Sequence, residues 1–204
     1  PYTTLFRSQL FKQNHIEWGI VVKMLCGNKK YLEKVLSLGI KQVCDSRISN
    51  LKIIKSIAPD IETVFIKPAA KKNAARVVEY ADISFNTELE TIKLLSKAAV
   101  NQNKTHRIMI MIELGELREG VMRDNFIEFY SNVFELPNIK VIGIGTNLTC
   151  MYGVLPNEDK LIQLSLYKQL LEAKFNKQIP YISGGASVTI PLILNGLIPS
   201  GINH

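Results

Sequence analysis

Seven short apolar runs alternating with amphipathic stretches predict an α/β fold, specifically a (β/α)8 TIM-type barrel lacking its eighth strand. Three observations carry this. The runs are apolar almost throughout, as in Ile108-Met109-Ile110-Met111-Ile112, which is how a parallel strand covered on both faces reads. The repeating units have regular lengths. No Gly-x-Gly-x-x-Gly turn follows the first run, as the doubly wound alternative would favour.

Strands are expected over 17–25, 40–44, 61–66, 81–85, 106–114, 138–146 and 179–183. Helical patterns fall at 29–38, 46–57, 71–79, 87–102, 124–135, 157–176 and 187–195. The longest of these places Leu161, Leu164, Tyr167, Leu171 and Phe175 on one core-facing stripe. Asn86-Thr87 ahead of Glu90 predicts a helix start with a capping glutamate. The closing run Gly201-Ile202-Asn203-His204 reads as the approach to an eighth strand, and 204 residues fall short of the ~250 that barrels typically use. At the other end, residues 1–8 join no periodic pattern and lack an initiator methionine, so they read as a foreign tail. Residues 1–15 are therefore set apart, and 16–204 are expected to form one incomplete barrel domain.

Composition narrows the function. With 47% hydrophobic and 21% charged residues the chain can bury a full core, and no apolar run reaches the ~18 residues that span a bilayer. Cys26, Cys44 and Cys150 are far apart and odd in number, which fits reduced thiols in a cytoplasmic protein. The net charge of +7 is mostly lysine, scattered along apparent helices. A nucleic-acid surface would cluster it, so neither nucleic acid nor membrane is an expected partner. His15, His106 and His204 sit at the wrong strand ends to share a metal with Glu113 or Glu116, and no metal centre is expected.

The chemistry-bearing residues gather at the expected strand ends, where barrels carry their sites. Lys23 interrupts the run Ile20-Val21-Val22-Lys23-Met24-Leu25. Buried, its amine would lose hydration and become a nucleophile toward carbonyls or pyridoxal phosphate (PLP); alternatively its stem lies in the core and its head reaches water. Asp45-Ser46-Arg47 ends the second run, and Asp45 and Arg47 are rim candidates. Ser183-Gly184-Gly185-Ala186-Ser187 ends the seventh as a candidate phosphate cradle, or else Ser187 simply caps the following helix. Arg118, between Glu116 and Glu119, is either a surface ion pair or a cation aimed into the mouth. Asn147 is a turn residue or a planar amide lying against a ring.

Taken together, Lys23 with Cys26-Gly27, Asp45-Ser46-Arg47, Leu114-Gly115-Glu116-Leu117-Arg118-Glu119-Gly120, Gly145-Thr146-Asn147-Leu148 and Ser183-Gly184-Gly185 resemble the alanine racemase-like family of PLP enzymes, most of all its ornithine racemase type. The resemblance covers residues 16–204. It implies an amino-acid racemase acting on free ornithine or a similar basic amino acid. Lys23 would hold PLP as a Schiff base and move the α-proton on one face. Arg118 would sit near the cofactor's phenolic oxygen and Asn147 against its ring, with Gly184, Gly185 and Ser187 around its phosphate. A homodimer is implied for the whole protein. A tyrosine from a carboxyl-terminal β-domain and an arginine at the pyridine nitrogen would both lie beyond His204. The alternative is a PLP-binding homeostasis protein with the same barrel and no turnover.

Overall fold

In the computed structural model, which describes residues 2–204, seven strands pair in parallel and in chain order. They are β1 (Ile20–Val21), β2 (Gln42–Asp45), β3 (Glu62–Phe65), β4 (Ile83–Asn86), β5 (His106–Met111), β6 (Ile139–Gly145) and β7 (Tyr181–Ser183). Helices α1 (Tyr2–Gln13), α2 (Lys29–Leu36), α3 (Ile48–Ile57), α4 (Ala74–Tyr80), α5 (Leu89–Asn101), α6 (Phe126–Phe134), α7 (Glu158–Phe175) and α8 (Ile190–Leu194) precede and follow them. This is the expected α/β architecture, a curled parallel sheet of seven strands among the described residues. Among the described residues, no helix is long and apolar enough to cross a membrane.

From β2 onward both faces of the sheet are largely buried, which is why those strands read as apolar runs. Cys44, Val64, Ile83, Met109 and Ile142 pack inside the curl of the sheet with Phe85 and Tyr181. Facing outward, Val43 and Phe65 join Leu51, Ile54 and Val77 under the first helices, while Ile108, Ile110 and Ile144 join Tyr130, Leu161 and Leu164 under the later ones. Gly143 allows the tight spacing at β6: a Cβ there would stand 2.6 Å from Met109 Cε and 2.9 Å from Tyr181 Cβ.

The amino end of the curl is filled by polar side chains. Glu62 accepts from Gln42 Nε2 at 2.7 Å and pairs with Arg107 at 2.8 Å, and His204 Nε2 lies 3.0 Å from Gln42 Oε1. Residues 203–204 lie in the place of an eighth strand. Asn203 and His204 both donate to the Ile182 carbonyl, at 3.2 and 3.1 Å, and Gly184 N–H donates to His204 O at 2.9 Å. On the other side Glu17 N–H donates to Asn203 O at 2.9 Å, so this short segment bridges β7 and the approach to β1.

Three expectations need correction. The first strand shrinks from 17–25 to Ile20–Val21, and Lys23–Leu25 wind into a 3₁₀ turn. Cys26 and Gly27 follow with φ of 50° and 76°, and that left-handed pair turns the chain before the strand can extend. Helix α5 begins later than 87, with Glu88 at its cap position. Asn86 stays in β4 opposite Ile110, and its amide donates to Ser84 rather than capping a helix. Residues 2–13, outside any sequence periodicity, form α1: Leu5 and Phe6 are exposed, so no continuous apolar stripe marks the helix. It is tied to the barrel through Phe11, whose ring centroid lies 5.6 Å from that of Trp18.

Candidate functional site

Every strand end that carries a candidate residue opens on one rim. Lys23 is at the first position of the 3₁₀ turn after β1 and is exposed, which decides between the two readings of the run in favour of a head that reaches water. The early end of β1 lifts it out of the core. Among the described residues no carboxylate pairs with it. Beside it, Cys26 Sγ is 3.5 Å from the Arg47 guanidinium.

Asp45 serves the fold instead of the rim. It is fully buried, accepting from Arg47 N–H at 2.8 Å and from Asn50 Nδ2 at 3.0 Å, and so it fixes the start of α3. Asn50 in turn meets the turn after β1: a Cβ on Gly27 would lie 2.9 Å from Asn50 Oδ1.

The loops after β5 and β6 come together. Arg118 donates to Cys150 Sγ through one guanidinium nitrogen, and its other lies 3.7 Å from Glu119. Glu119 Oε1 also accepts from Asn147 Nδ2, so one carboxylate joins Arg118 to Asn147. Glu116, the other flanking acid, takes no part in that ion pair. Its carboxylate is buried and accepts backbone N–H groups from Thr149, Cys150, Met151, Tyr152 and Val154. Those donors outweigh the burial of the group and hold its pKa down at about 2.

At the end of β7, Gly184 is pressed against the segment that approaches the eighth strand: a Cβ there would stand 2.8 Å from Ile202 Cγ2. Gly185 has φ of 110°, open to glycine and strained for other residues. Thr189 Oγ1 closes the turn by donating to Gly184 O at 2.9 Å. Ser187 is not the cap: Ala186 holds that position, and the Ser187 side chain is exposed. Behind the turn, Thr146 Oγ1 is buried without a hydrogen-bond partner.

The structure thus joins Arg118 to Asn147 and sets Gly185 against Thr146, whose carbonyl lies 3.9 Å from the position of a Gly185 Cβ. Arg47 and Cys26 form a separate contact between the start of α3 and the turn after β1, the turn that Lys23 opens. Sequence reading missed Glu119 as the bridge, Glu116 as the acceptor of a loop, and Lys160, whose Nζ donates to Leu114 O at 2.7 Å. The glycines at 115 and 120 were the available signal that this loop folds tightly.

Residues 9–195 match the family described as alanine racemase, N-terminal domain. The chain belongs to that family. An ornithine racemase from Acetoanaerobium sticklandii is 37% identical over 200 residues, covering 98% of this chain and 56% of that protein. A lysine racemase from Thermotoga maritima is 26% identical over 184 residues, covering 90% of this chain and 51% of that protein. The chain spans about half the length of these curated relatives. Among solved structures, PipY of Synechococcus elongatus PCC7942 superposes with a TM-score of 0.80 at 15% identity, covering 98% of this chain and 93% of PipY. The alanine racemase of Clostridium difficile 630 gives 0.72 at 14% identity, covering 91% and 53% of the two chains. At such identities the two structures establish the shared fold.

Proposed function

We propose that this barrel binds PLP and forms part of an amino-acid racemase acting on free ornithine or a similar basic amino acid. The observation that carries the reading is a donor set suited to PLP on one rim: the unpaired amine of Lys23, the Arg118–Glu119–Asn147 chain, and the Gly184–Ser187 turn. The likeness to an ornithine racemase over 98% of the chain supports it, as does a solved PipY structure with PLP bound. The turn fits a phosphate on this structure's own terms: the Ser187 hydroxyl is exposed and the Thr146 hydroxyl behind it is unpartnered.

PLP, when bound, makes the α-proton of an attached amino acid acidic and accepts the charge left behind. The residues do the rest. Lys23 Nζ would hold the cofactor, and its free amine would take or return the α-proton on one face. Arg118 would donate toward the phenolic oxygen, and Glu119 fixes the Arg118 head and the Asn147 amide so that both keep their orientation. Gly185 and Ser187 would offer backbone N–H groups and a hydroxyl to the phosphate, with Gly184, whose own N–H is taken by His204 O, shaping the turn. The group serving the opposite face is assigned to the part of the longer relatives that this chain does not span, and the whole protein is proposed to be a homodimer.

Borohydride reduction of the PLP-treated protein, followed by peptide mass spectrometry, tests the reading. A pyridoxyl adduct is expected on Lys23 and is expected to vanish in Lys23→Ala. No adduct, or an adduct on another lysine, overturns it. An adduct without interconversion of D- and L-ornithine favours the second reading, a PLP-binding protein without turnover.

A further inference from the structure

We infer that Glu116 is a positioning residue: its carboxylate holds the 149–154 loop, and through it Cys150 and Arg118, in the arrangement that receives the cofactor. The inference rests on the PLP reading above for its functional half and on geometry for its structural half.

Successive backbone N–H groups in a tight loop make a concavity that ordinarily attracts an external anion. Here the chain fills that concavity with its own carboxylate. Glu116 Oε1 accepts from Cys150 at 2.7 Å, from Tyr152 at 2.9 Å and from Met151; Oε2 accepts from Val154 at 3.0 Å and Thr149 at 3.1 Å. The side chain is 1% exposed and, among the described residues, pairs with no cation. An uncompensated buried carboxylate would be costly, so the five donors are what keep it there.

Little else holds the loop. It has no helix or strand, Thr149 and Gly153 have φ of 59° and 74°, and Met151 and Tyr152 are 65% and 66% exposed. Its other internal ties are the Thr149 N–H and hydroxyl, which donate to Val154 O at 2.9 and 3.0 Å. Yet this loop carries Cys150, whose sulfur receives the Arg118 guanidinium, and Arg118 leads through Glu119 to Asn147. The turn that separates Glu116 from Arg118 is fixed in its turn by Glu113, which accepts from Gly115 N–H at 2.6 Å and Leu117 N–H at 2.9 Å. The two ends of Glu116-Leu117-Arg118 therefore act together, one gripping the loop and the other resting on it.

The test compares the full chain with Glu116→Gln and Cys150→Ala by amide hydrogen exchange and by fluorescence titration with PLP. Glu116→Gln presents an amide N–H₂ to donors, so exchange at 149–154 should speed up by about tenfold or more and PLP affinity should fall by about tenfold. Cys150→Ala leaves the carboxylate cradle intact, so exchange should stay slow while PLP affinity still falls. Unchanged exchange in Glu116→Gln overturns the loop anchor. Faster exchange with unchanged PLP affinity, or unchanged affinity in Cys150→Ala, overturns the positioning role. Should the unsubstituted protein take up no PLP at all, the functional reading and the positioning role fall together, and the exchange data alone decide the anchor.

Discussion

Replacing His106 with glutamine should flatten the acid sensitivity of this fold. His106 is 3% exposed, and its Nε2 lies 2.8 Å from Ser84 Oγ. Burial, with smaller contributions from Arg107 and Lys104 against Asp82, pushes its pKa from 6.5 down to about 4. Between those values the unfolded chain binds a proton that the folded chain refuses. Stability is therefore full above the unfolded value and is lost as pH falls toward the folded one, by about 3 kcal/mol in all. Two-thirds of that, about 2 kcal/mol, should be gone at pH 5 relative to pH 7, lowering the midpoint of thermal unfolding by roughly 4–8 °C for a chain of this size. His204, also shifted down by burial, contributes with the same sign but is present in both proteins. Urea and thermal unfolding of wild type and His106→Gln at the two pH values isolate the term. A drop in the variant equal to that of wild type, within about 0.5 kcal/mol, would refute the reasoning.

Three further outcomes follow from named contacts. Gly120→Ala should destabilise by about 3 kcal/mol in chemical denaturation, because the new Cβ would meet backbone, 2.7 Å from Glu113 Cα and from Ile112 C, with no flexible side chain to yield. Tyr130→Phe should stabilise by about 1 kcal/mol, since the Tyr130 hydroxyl is fully buried without a partner; a lower melting temperature would contradict this. Asp82→Asn should cost about 1–3 kcal/mol at neutral pH. Burial alone would raise the Asp82 pKa, but Lys55 at 2.7 Å and the Thr63 donors hold it below the usual carboxylate range, so the deficit should shrink as the medium is acidified through that range.

The strands from β2 onward were legible because they bury two faces, a condition that leaves little freedom in composition: β5 could hardly be read otherwise. The edge was less legible. At β1 the paired residues Ile20 and Val21 are half-buried and exposed, only Val22 just after them is buried, and an apolar run cannot reveal that Met24 will be 81% exposed. The rim followed from topology, since ordering the strands places Lys23, Arg118, Asn147 and the Gly184–Ser187 turn at the same end. Their partners did not follow. Whether Arg118 meets Glu116 or Glu119 depends on Leu117 adopting φ of 51°, which no periodicity encodes. Asp45 looked like a rim residue from its place after a strand, yet its oxygens are taken up by Arg47 and Asn50, a local preference that becomes visible only with coordinates.

The interlocked Gln42, Glu62, Arg107 and His204 side chains act as the stopper of a vessel. A small molecule arriving from below would have to break charged contacts held in a confined space, whereas above it meets only loops. Approach is thereby left to the opposite end, where Lys23 already stands open to solvent.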